Sequence, residues 1–246
     1  MNANTNPFSA AVPVTTTSMR RPPVLPASDA GIDIERLREH VPVIRRKVRA
    51  GQYVYRAGQA FQALYLVNVG CFKTSELSDD GREQVTGFRM RGDLIGVESI
   101  GLASYACDAI ALEDGEVWEL PYPPVLTACV AMPDLQIRFT AAMAEEIRRD
   151  RAWMLALGTL SAEQRVAAFL IDVAGRCARL GFSDRHFILR MSRADMANFL
   201  ALKHETVSRA LSRLQELGCI IVQRREVKVV DAEGLHGLAS RTASVH

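Results

Sequence analysis

Residues 192–218 restrict the fold more than any other part of the chain, because two short helical patterns stand on either side of a three-residue break. Ser192 and Asp195 have the spacing of a capping box that would open the first helix. Apolar residues then recur at helical spacing, as Met196, Phe199 and Leu200 in the first pattern and as Val207, Ala210, Leu211 and Leu214 in the second. Gly218 has the position of a C-terminal stop. The segment predicts a helix–turn–helix whose turn is residues 201–203.

The predicted second helix has a polar front opposite its apolar face. Glu205, Ser208 and Arg209 stand at positions i, i+3 and i+4, so their side chains project together. Arginine can bind guanine through two hydrogen bonds, and glutamate can accept one from cytosine N4 in the major groove of DNA. The front therefore suits base recognition. The same spacing is also common on solvated helices, and both interpretations stay open on spacing alone.

A predicted β-hairpin follows the helix pair. The β-branched run Ile220–Val222 and a second run at residues 227–230 are separated by a polar turn at Gln223–Arg225. A hairpin in this place is typical of a winged helix, and basic side chains near its tip would meet DNA phosphates. An ordinary solvated hairpin is the alternative. The residues that we expect at phosphates are Lys203, Arg213, Arg224 and Arg225.

The basic excess of the chain lies in the same part as these motifs. Residues 162–246 contain 13 Lys/Arg and 9 Asp/Glu, a balance of +4, whereas the remaining residues have a balance of −2. The asymmetry is modest, but its sign is the one that an anionic partner requires. Short motifs typical of hydrolases and nucleotide-binding enzymes are absent from the sequence, so we expect no enzymatic activity.

The sequence predicts a cytoplasmic protein. No apolar run reaches the roughly 18–20 residues that cross a bilayer, and the first 30 residues lack the apolar core of a signal peptide. Those 30 residues are rich in Ala, Thr, Ser and Pro and predict a flexible tail. A short helix is expected at Ile32–Val41. Between residues 43 and 120, short alternating strands punctuated by glycine predict a small β-barrel or roll.

A long helix is predicted from Pro133 to Leu157, followed by a second at Ala162–Leu180 that would enter the core of a DNA-binding domain. Apolar residues near heptad spacing on the long helix indicate coiled-coil pairing with a second copy, although Asp150 interrupts the seam. Packing of this helix on its own barrel is the alternative. The predicted seam residues are Met143, Ile147, Met154 and Leu157.

The five cysteines are scattered: Cys71, Cys107, Cys129, Cys177 and Cys219. Their spacing offers no pair suited to zinc, and we predict no metal site and a buried, inert role for most of them. Cys71 and Cys107 are the candidates for a reversible thiol switch, with Lys73 on the same strand face as Cys71. A sensor thiol of this kind should be exposed and have a lowered pKa.

The order of these elements resembles the CRP/FNR superfamily of bacterial transcription regulators over roughly residues 33–235, and most closely its FNR branch. The matching segments are YRAGQAFQALYLVNVGCFKTSELSDDGREQVTGF, GDLIGVESIG and AEQRVAAFLIDVAGRCARLGFSDRHFILRMSRADMANFLALKHETVSRALSRLQELG. The resemblance implies an α+β fold with an N-terminal cyclic-nucleotide-binding-like β-roll, a long dimerisation helix and a C-terminal winged helix-turn-helix. The implied division is 1–30 for the tail, 31–132 for the β-roll, 133–158 for the dimerisation helix and 159–246 for the winged helix.

In this family an E-x-x-S-R face reads the half-site TTGAT of an inverted repeat, and the resemblance places that face at Glu205, Ser208 and Arg209. His204 precedes the face and would tune the outer base. Lys203 stands where a Ser or Thr helix cap is expected, which predicts a less firm start of the helix.

The resemblance also implies a homodimer that activates transcription when exposed roll loops, such as Ser78–Glu83, touch RNA polymerase. Repression by occlusion of the site stays open. A conditional redox or small-molecule sensor, switched through the roll or its cysteines, is the alternative function. Control by abundance alone is a third possibility.

The chain departs from the family at its cofactor positions. The oxygen sensor of the FNR branch holds an iron–sulfur cluster with an N-terminal cysteine group and one cysteine in the roll, but residues 1–42 contain no cysteine and Trp118 stands at the roll position. The cyclic-AMP branch uses a Glu after GDxIG and an Arg-Ser pair, whereas Val97 follows the motif here and residues 105–107 offer no arginine. We expect neither cofactor. Haem or another ligand stays open, although only His40 lies near the roll.

Overall fold

The computed structural model describes Ile32, residues 34–78 and residues 80–240 of the 246-residue chain. The tail predicted at residues 1–30 lies outside this range. Within it, a strand-rich part is followed by a long helix and then by a smaller helical part that carries its own sheet. This arrangement confirms the predicted α+β fold of β-roll, long helix and winged helix–turn–helix.

The β-roll consists of two antiparallel sheets. Its strands are β1 (Ile44–Val48), β2 (Tyr53–Tyr55), β3 (Ala63–Val69), β4 (Phe72–Leu77), β5 (Glu83–Arg89), β6 (Leu94–Ile95), β7 (Asp108–Ala111) and β8 (Gly115–Pro121). The strand order is β1-β8-β3-β6 in one sheet and β2-β7-β4-β5 in the other. A 3-10 turn at Val97–Ser99 follows β6. The helix expected at Ile32–Val41 is present but shorter, as α1 (Ile34–Arg38).

Strand β3 shows why the roll has two cores, because successive side chains of a strand point to opposite faces. Leu64 and Leu66 belong to a cluster that includes residues of α1 and of the helices after the roll. Tyr65 and Val67 point the other way and fill the interior of the roll. A strand buried on both faces explains the nearly continuous apolar run in this segment.

Helix α2 (Tyr122–Ala131) was not predicted from the sequence. Two prolines at its start, Pro123 and Pro124, suggest a loop, yet proline suits the first turn of a helix because its fixed φ and missing N–H cost nothing there. Val125 and Ala128 are buried and attach α2 to the first sheet.

The long helix α3 (Pro133–Thr159) extends two residues beyond its predicted end, and α4 (Ala162–Arg179) follows after a short break. Ser161 caps α4: its hydroxyl accepts from the Gln164 amide, and its own amide donates to the Gln164 side chain at 2.8 Å. No helix in the described part of the chain is long and apolar enough to cross a membrane.

The C-terminal part contains β9 (His186–Ile188), α5 (Arg193–Phe199), α6 (His204–Glu216), β10 (Ile220–Gln223), β11 (Glu226–Val229) and α7 (Ala232–Ser240). The predicted hairpin is β10–β11, but its turn is shorter than expected: Gln223 pairs with Glu226 inside the ladder, and Val230 lies beyond β11. Strand β9 and helix α7 were missed. β9 has only three residues and joins the sheet by pairing with β11, a contact that no local pattern reveals.

One carboxylate joins the roll to the helices behind it. Asp93, in the turn before β6, accepts from the Arg176 guanidinium of α4 and lies 3.5 Å from the Arg149 guanidinium of α3. Arg176 also donates to the Phe88 carbonyl at 2.8 Å. Burial would raise the pKa of Asp93, but the charges of Arg176 and Arg149 outweigh it and hold the pKa below its ordinary value. Apolar packing continues across the same junction, since the Phe88 and Phe169 rings lie 5.8 Å apart.

Replacing Asp93 with Asn should lower the free energy of unfolding by about 3 kcal/mol at neutral pH, because the buried guanidinium of Arg176 and the half-buried guanidinium of Arg149 lose their counter-charge. The folded-state pKa of Asp93 is lowered, so its contribution is present above the unfolded value of about 3.9 and is lost as the pH falls through the folded value. Urea unfolding should therefore show that acidification destabilises the Asp93→Asn variant less than the unchanged chain.

The matched control is Glu145→Gln, which removes an exposed ion pair with Arg148 on α3. Exposed pairs of this kind contribute less than about 0.5 kcal/mol, so the control should unfold almost as the unchanged chain does. Equal losses of stability in the two variants would contradict the role given to Asp93.

Candidate DNA interface

The first helix of the helix–turn–helix, α5, begins at the capping box that the sequence predicted. The Asp195 amide donates to the Ser192 hydroxyl at 3.0 Å, and the Ser192 amide donates to the Asp195 carboxylate at 3.1 Å. The reciprocal pair satisfies two backbone donors that a helix start leaves unpaired. Burial alone would raise the pKa of Asp195, but hydrogen bonds from Ser192 and Lys73 outweigh it and lower that pKa.

The turn after α5 is tight because Ala201 adopts a left-handed backbone conformation, with φ of 52°. The Leu202 amide then reaches back to the Ala197 carbonyl at 2.8 Å. A non-glycine residue in this conformation costs about 1–2 kcal/mol, and an exposed alanine keeps the steric part of that cost low. Leu202 packs against the core of the C-terminal part, so the turn fixes the angle between α5 and α6.

The recognition helix α6 is held from behind by its apolar face. The buried residues are Val207, Ala210, Leu211 and Leu214, as the helical spacing predicted. They belong to the same cluster as the apolar residues of α4 and α5. A helix that buries one whole face cannot rotate about its axis without losing that burial, and its opposite face is therefore presented in a fixed direction.

The polar front of α6 faces solvent. Glu205, Ser208, Arg209 and the preceding His204 are all exposed. The Ser208 hydroxyl donates to the His204 carbonyl at 3.1 Å. Within the described residues, no ion pair joins Glu205 to Arg209, and neither side chain has another polar partner. A carboxylate and a guanidinium are thus held side by side on a firmly anchored helix.

The residues expected at phosphates are exposed around this front: Lys203, Arg213, Arg224 and Arg225. Lys203 is the N-cap of α6 and provides no side-chain cap, in line with the weaker start that the sequence predicted. Arg213 is partly engaged, because its guanidinium lies 3.1 Å from the Glu216 carboxylate. Arg224 lies at the tip of the hairpin, where its backbone adopts a left-handed conformation with φ of 56°.

Two residues that support the interface were not found from the sequence. Gln215 on α6 accepts a hydrogen bond from the Val222 amide at 2.5 Å, which ties the recognition helix to β10. Arg193 on α5 donates to the Arg224 carbonyl at 3.2 Å and so holds the hairpin tip. Bonds from a side chain to a distant backbone atom leave no periodic signal, so only the folded arrangement reveals them.

The long helix exposes several apolar side chains to solvent. Only some of them are residues of the predicted seam. Ile147 is 53% exposed and Met154 is 74% exposed, whereas Met143 and Leu157 are half-buried. Leu155, which was not predicted, is 67% exposed. Asp150 is also exposed, between Ile147 and Met154. The helix therefore does not pack entirely on its own barrel.

The interior of the roll is filled with aromatic side chains. Tyr55 and Tyr105 stack with ring centroids 3.8 Å apart, and Phe61 meets Tyr105 edge-on at 5.3 Å. At the rim, the Glu98 carboxylate accepts from the Tyr55 hydroxyl and from the Cys107 thiol, each at 3.1 Å. Glu98 stands one position after the place where the cyclic-AMP branch has its Glu, and it is engaged with the protein's own side chains.

The two cysteines proposed as a thiol switch do not meet the conditions for one. Cys71 and Cys107 are each 2% exposed. Burial raises the pKa of Cys71 to about 12, and burial together with the Glu98 charge raises that of Cys107. Lys73 gives Cys71 no thiolate partner, because its ammonium group bonds to Glu83 and Asp195. Among the described residues, no group of three or more His, Cys, Asp or Glu side chains could hold a metal ion.

Family models match both parts of the chain. The cyclic nucleotide-binding domain matches residues 45–130, and the Crp-like helix-turn-helix domain matches residues 164–238. Each match falls on the part of the structure that has the corresponding architecture, since the roll contains β1 to β8 and the second range contains α5, α6 and the hairpin.

Several regulators are similar over most of the chain. The transcriptional regulatory protein btr of Bordetella pertussis is 36% identical over 206 residues, which cover 84% of this chain and 85% of that protein. The fumarate and nitrate reduction regulatory protein of Escherichia coli K12 is 36% identical over 205 residues, 82% of each chain. The structure of FixK2 from Bradyrhizobium japonicum aligns with a TM-score of 0.74 at 30% identity, covering 82% of this chain and 99% of that one. The chain is therefore a member of the CRP/FNR superfamily of DNA-binding transcription regulators and not an enzyme.

Proposed function

We propose that this regulator binds an inverted repeat of TTGAT-like half-sites through the front of α6. The observation that supports this proposal is the exposed group of Glu205, Ser208 and Arg209 on a helix whose opposite face is buried. Arg209 would bind guanine in the major groove, Glu205 would accept from cytosine, and His204 would contact the outer base. Because Glu205 and Arg209 have no polar partner in the described part of the chain, no internal contact has to break before they meet a base.

Phosphate contacts would position this front without adding sequence preference. Lys203 lies at the start of α6, Arg224 and Arg225 lie at the hairpin tip, and Arg213 lies one turn beyond Arg209. Each of these contacts would release about one counterion, so affinity would fall steeply with salt. Arg193 and Gln215 would act indirectly, by holding the hairpin against the two helices.

A homodimer would supply the second half-site. Ile147, Met154 and Leu155 expose apolar area on α3, and pairing with a second copy would bury it. Met143 and Leu157 would line the edge of this seam. In this arrangement residues 31–132 form the sensor-like roll, 133–158 the dimerisation helix and 159–246 the DNA-binding domain, in a protein of the cytoplasm.

Transcription activation would use the exposed loop between β4 and β5 as a contact for RNA polymerase. Its described residues are Ser78 and 80–82, followed by Glu83 at the start of β5, and the Asp80 carboxylate bonds to the Ser78 hydroxyl at 2.5 Å and to the Arg82 guanidinium at 2.6 Å. This local bonding gives the loop a defined shape while its polar groups stay at the surface.

Replacing Arg209 with Ala should cost about 1–3 kcal/mol on the specific duplex and relax the preference for its guanine, because the bidentate contact is lost. Anisotropy titrations on specific, guanine-substituted and random duplexes measure both effects. The matched control is Arg224→Ala, which should weaken binding to every duplex alike and reduce the salt slope by about one. If Arg209→Ala keeps the unchanged chain's ratio of specific to random affinity, the assignment of Arg209 is wrong.

Replacing Ile147 with Asp should yield monomers, because dimerisation would bury a carboxylate without a partner. Light scattering at micromolar concentration reads the oligomeric state directly. Leu102→Asp is the control, since Leu102 is 52% exposed and belongs to the roll, outside the proposed seam on α3. A dimeric Ile147→Asp variant would refute the proposed seam.

DNA binding should persist in air and without added nucleotide. Residues 1–42 provide no thiolate for a cluster, and Tyr55 and Tyr105 occupy the roll interior. Gel-shift titrations performed in air, after anaerobic reconstitution with iron and sulfide, and with cyclic AMP should give similar affinities. A large gain in either supplemented sample would show that the roll holds a cofactor after all.

A further inference from the structure

Helix α5 closes an open sheet edge of the roll. Strand β5 is the last strand in the order β2-β7-β4-β5, and an edge strand carries backbone groups without a strand partner. The Asn198 side chain satisfies two of them: its amide oxygen accepts from the Val85 amide at 2.5 Å, and its amide nitrogen donates to the Glu83 carbonyl at 2.7 Å. One side-chain amide thus pairs with β5 as a neighbouring strand would.

Further polar contacts hold both ends of α5. At its C-terminal end, the Gln84 side chain donates to the Asn198 carbonyl at 2.9 Å. At its N-terminal end, the Lys73 ammonium group lies 3.0 Å from Asp195 and 2.9 Å from Glu83. Burial would lower the pKa of Lys73, but the two carboxylates outweigh it and raise that pKa, so the group is charged. Asp195 is also the partner of Ser192 in the capping box of α5, so the roll contacts a residue that stabilises the start of the helix.

Aromatic packing fills the space beneath these polar contacts. The Phe199 ring of α5 lies 5.3 Å from the Phe88 ring of β5 and 4.9 Å from the Trp153 ring of α3. Val85 belongs to the same apolar cluster. We call the contact formed by Lys73, Glu83, Val85, Asp195 and Asn198 the α5 latch.

The α5 latch leaves the DNA-facing side open. Among the described residues, every hydrogen bond and ion pair between the roll and the helix–turn–helix involves α5 and none involves α6. The front of α6 is exposed with the latch closed. A contact that masked the DNA-binding surface would cover the front of α6. The α5 latch leaves that front uncovered and fixes the direction in which it points.

We propose that the α5 latch fixes the recognition helix relative to the roll and thereby determines which spacing of half-sites the dimer accepts. Asn198 and Lys73 are positioning residues in this scheme. In a two-fold dimer, one extra base pair moves the second half-site by about 3.4 Å and rotates it by about 35°. A closed latch cannot follow that change. With the latch open, the C-terminal part stays attached to the roll through Arg176 and Asp93, and the helix–turn–helix can tilt about this attachment toward the displaced site. The inference rests on the proposed binding to an inverted repeat.

The experiment measures the affinity of full-length protein for duplexes that carry the same two half-sites at the preferred spacing and at one base pair more or less. The variants are Asn198→Ala, which removes the amide pair, and Lys73→Met, which removes both ion pairs of Lys73 and keeps Asn198. Glu76→Gln is the control, because Glu76 is an exposed residue of β4 outside the latch. Hydrogen exchange at the Val85 amide reports opening of the latch without DNA.

Asn198→Ala should reduce the ratio of affinities for the preferred and the shifted spacing about tenfold. A tenfold change lies within the range of coupling energies measured between contacting residues. Lys73→Met should reduce it less, and it serves as the readout if Asn198→Ala does not fold. Both variants should keep the guanine preference of Arg209, exchange at Val85 should be faster in Asn198→Ala, and Glu76→Gln should behave as the unchanged chain does.

Two outcomes would overturn the proposal. One is an unchanged spacing ratio in a variant whose Val85 amide exchanges faster, because the latch would then be open without consequence. The other is tighter binding to all duplexes, which would make the latch inhibitory. If the unchanged chain prefers no inverted repeat while Val85 exchange responds to Asn198→Ala, the proposed function fails although the latch itself is present.

Discussion

The arrangement of the whole molecule depends on the buried charge of Asp93. A turn of the roll, the long helix and the first helix of the C-terminal part converge there, because Arg149 and Arg176 reach the same carboxylate. Arg89 and Glu146 form a second buried pair between β5 and α3. Removing one partner of a buried ion pair is strongly destabilising, and guanidinium–carboxylate contacts have strict geometry. Apolar surfaces alone would slide past one another more easily than these elements can.

The candidate DNA interface is built in layers that each rely on the one beneath. Glu205 and Arg209 lie side by side because α6 buries its opposite face, and α6 is directed by the turn at Ala201 and by its bond through Gln215 to β10. Helix α5, below the turn, is attached in its own right to β5 through Asn198. Rigid support of this kind matters for base recognition, since a displacement of about half an ångström is enough to spoil a bidentate contact.

The sequence predicted those features that follow from local periodicity or local chemistry. The capping box at Ser192, the buried face of α6 and the hairpin all carry such signals, and the structure confirms each of them. Sequence patterns did not predict α2, β9 and α7. Helix α2 has prolines in its first turn, β9 and α7 are short, and all three are stabilised by contacts with distant segments. Nor could the sequence locate the partners of Lys73, because the spacing that placed Lys73 near Cys71 says nothing of a helix more than one hundred residues away. For the candidate site, the sequence identifies the exposed polar residues that would contact DNA. The contacts that hold those residues in place become visible only in the folded structure.

The stacked tyrosines of the roll bear on how the DNA-binding activity of such a regulator could be controlled. A small molecule shifts a conformational equilibrium only by the difference in its affinity for two states, and a molecule that entered the interior of the roll would have to separate the stacked rings of Tyr55 and Tyr105. A second variable is the number of copies in the cell. For the homodimer proposed above, while most chains are monomers, the amount of dimer rises with the square of the chain concentration. Promoter occupancy would then follow the rates of synthesis and degradation, with pairing of the chains as the step that sharpens the response.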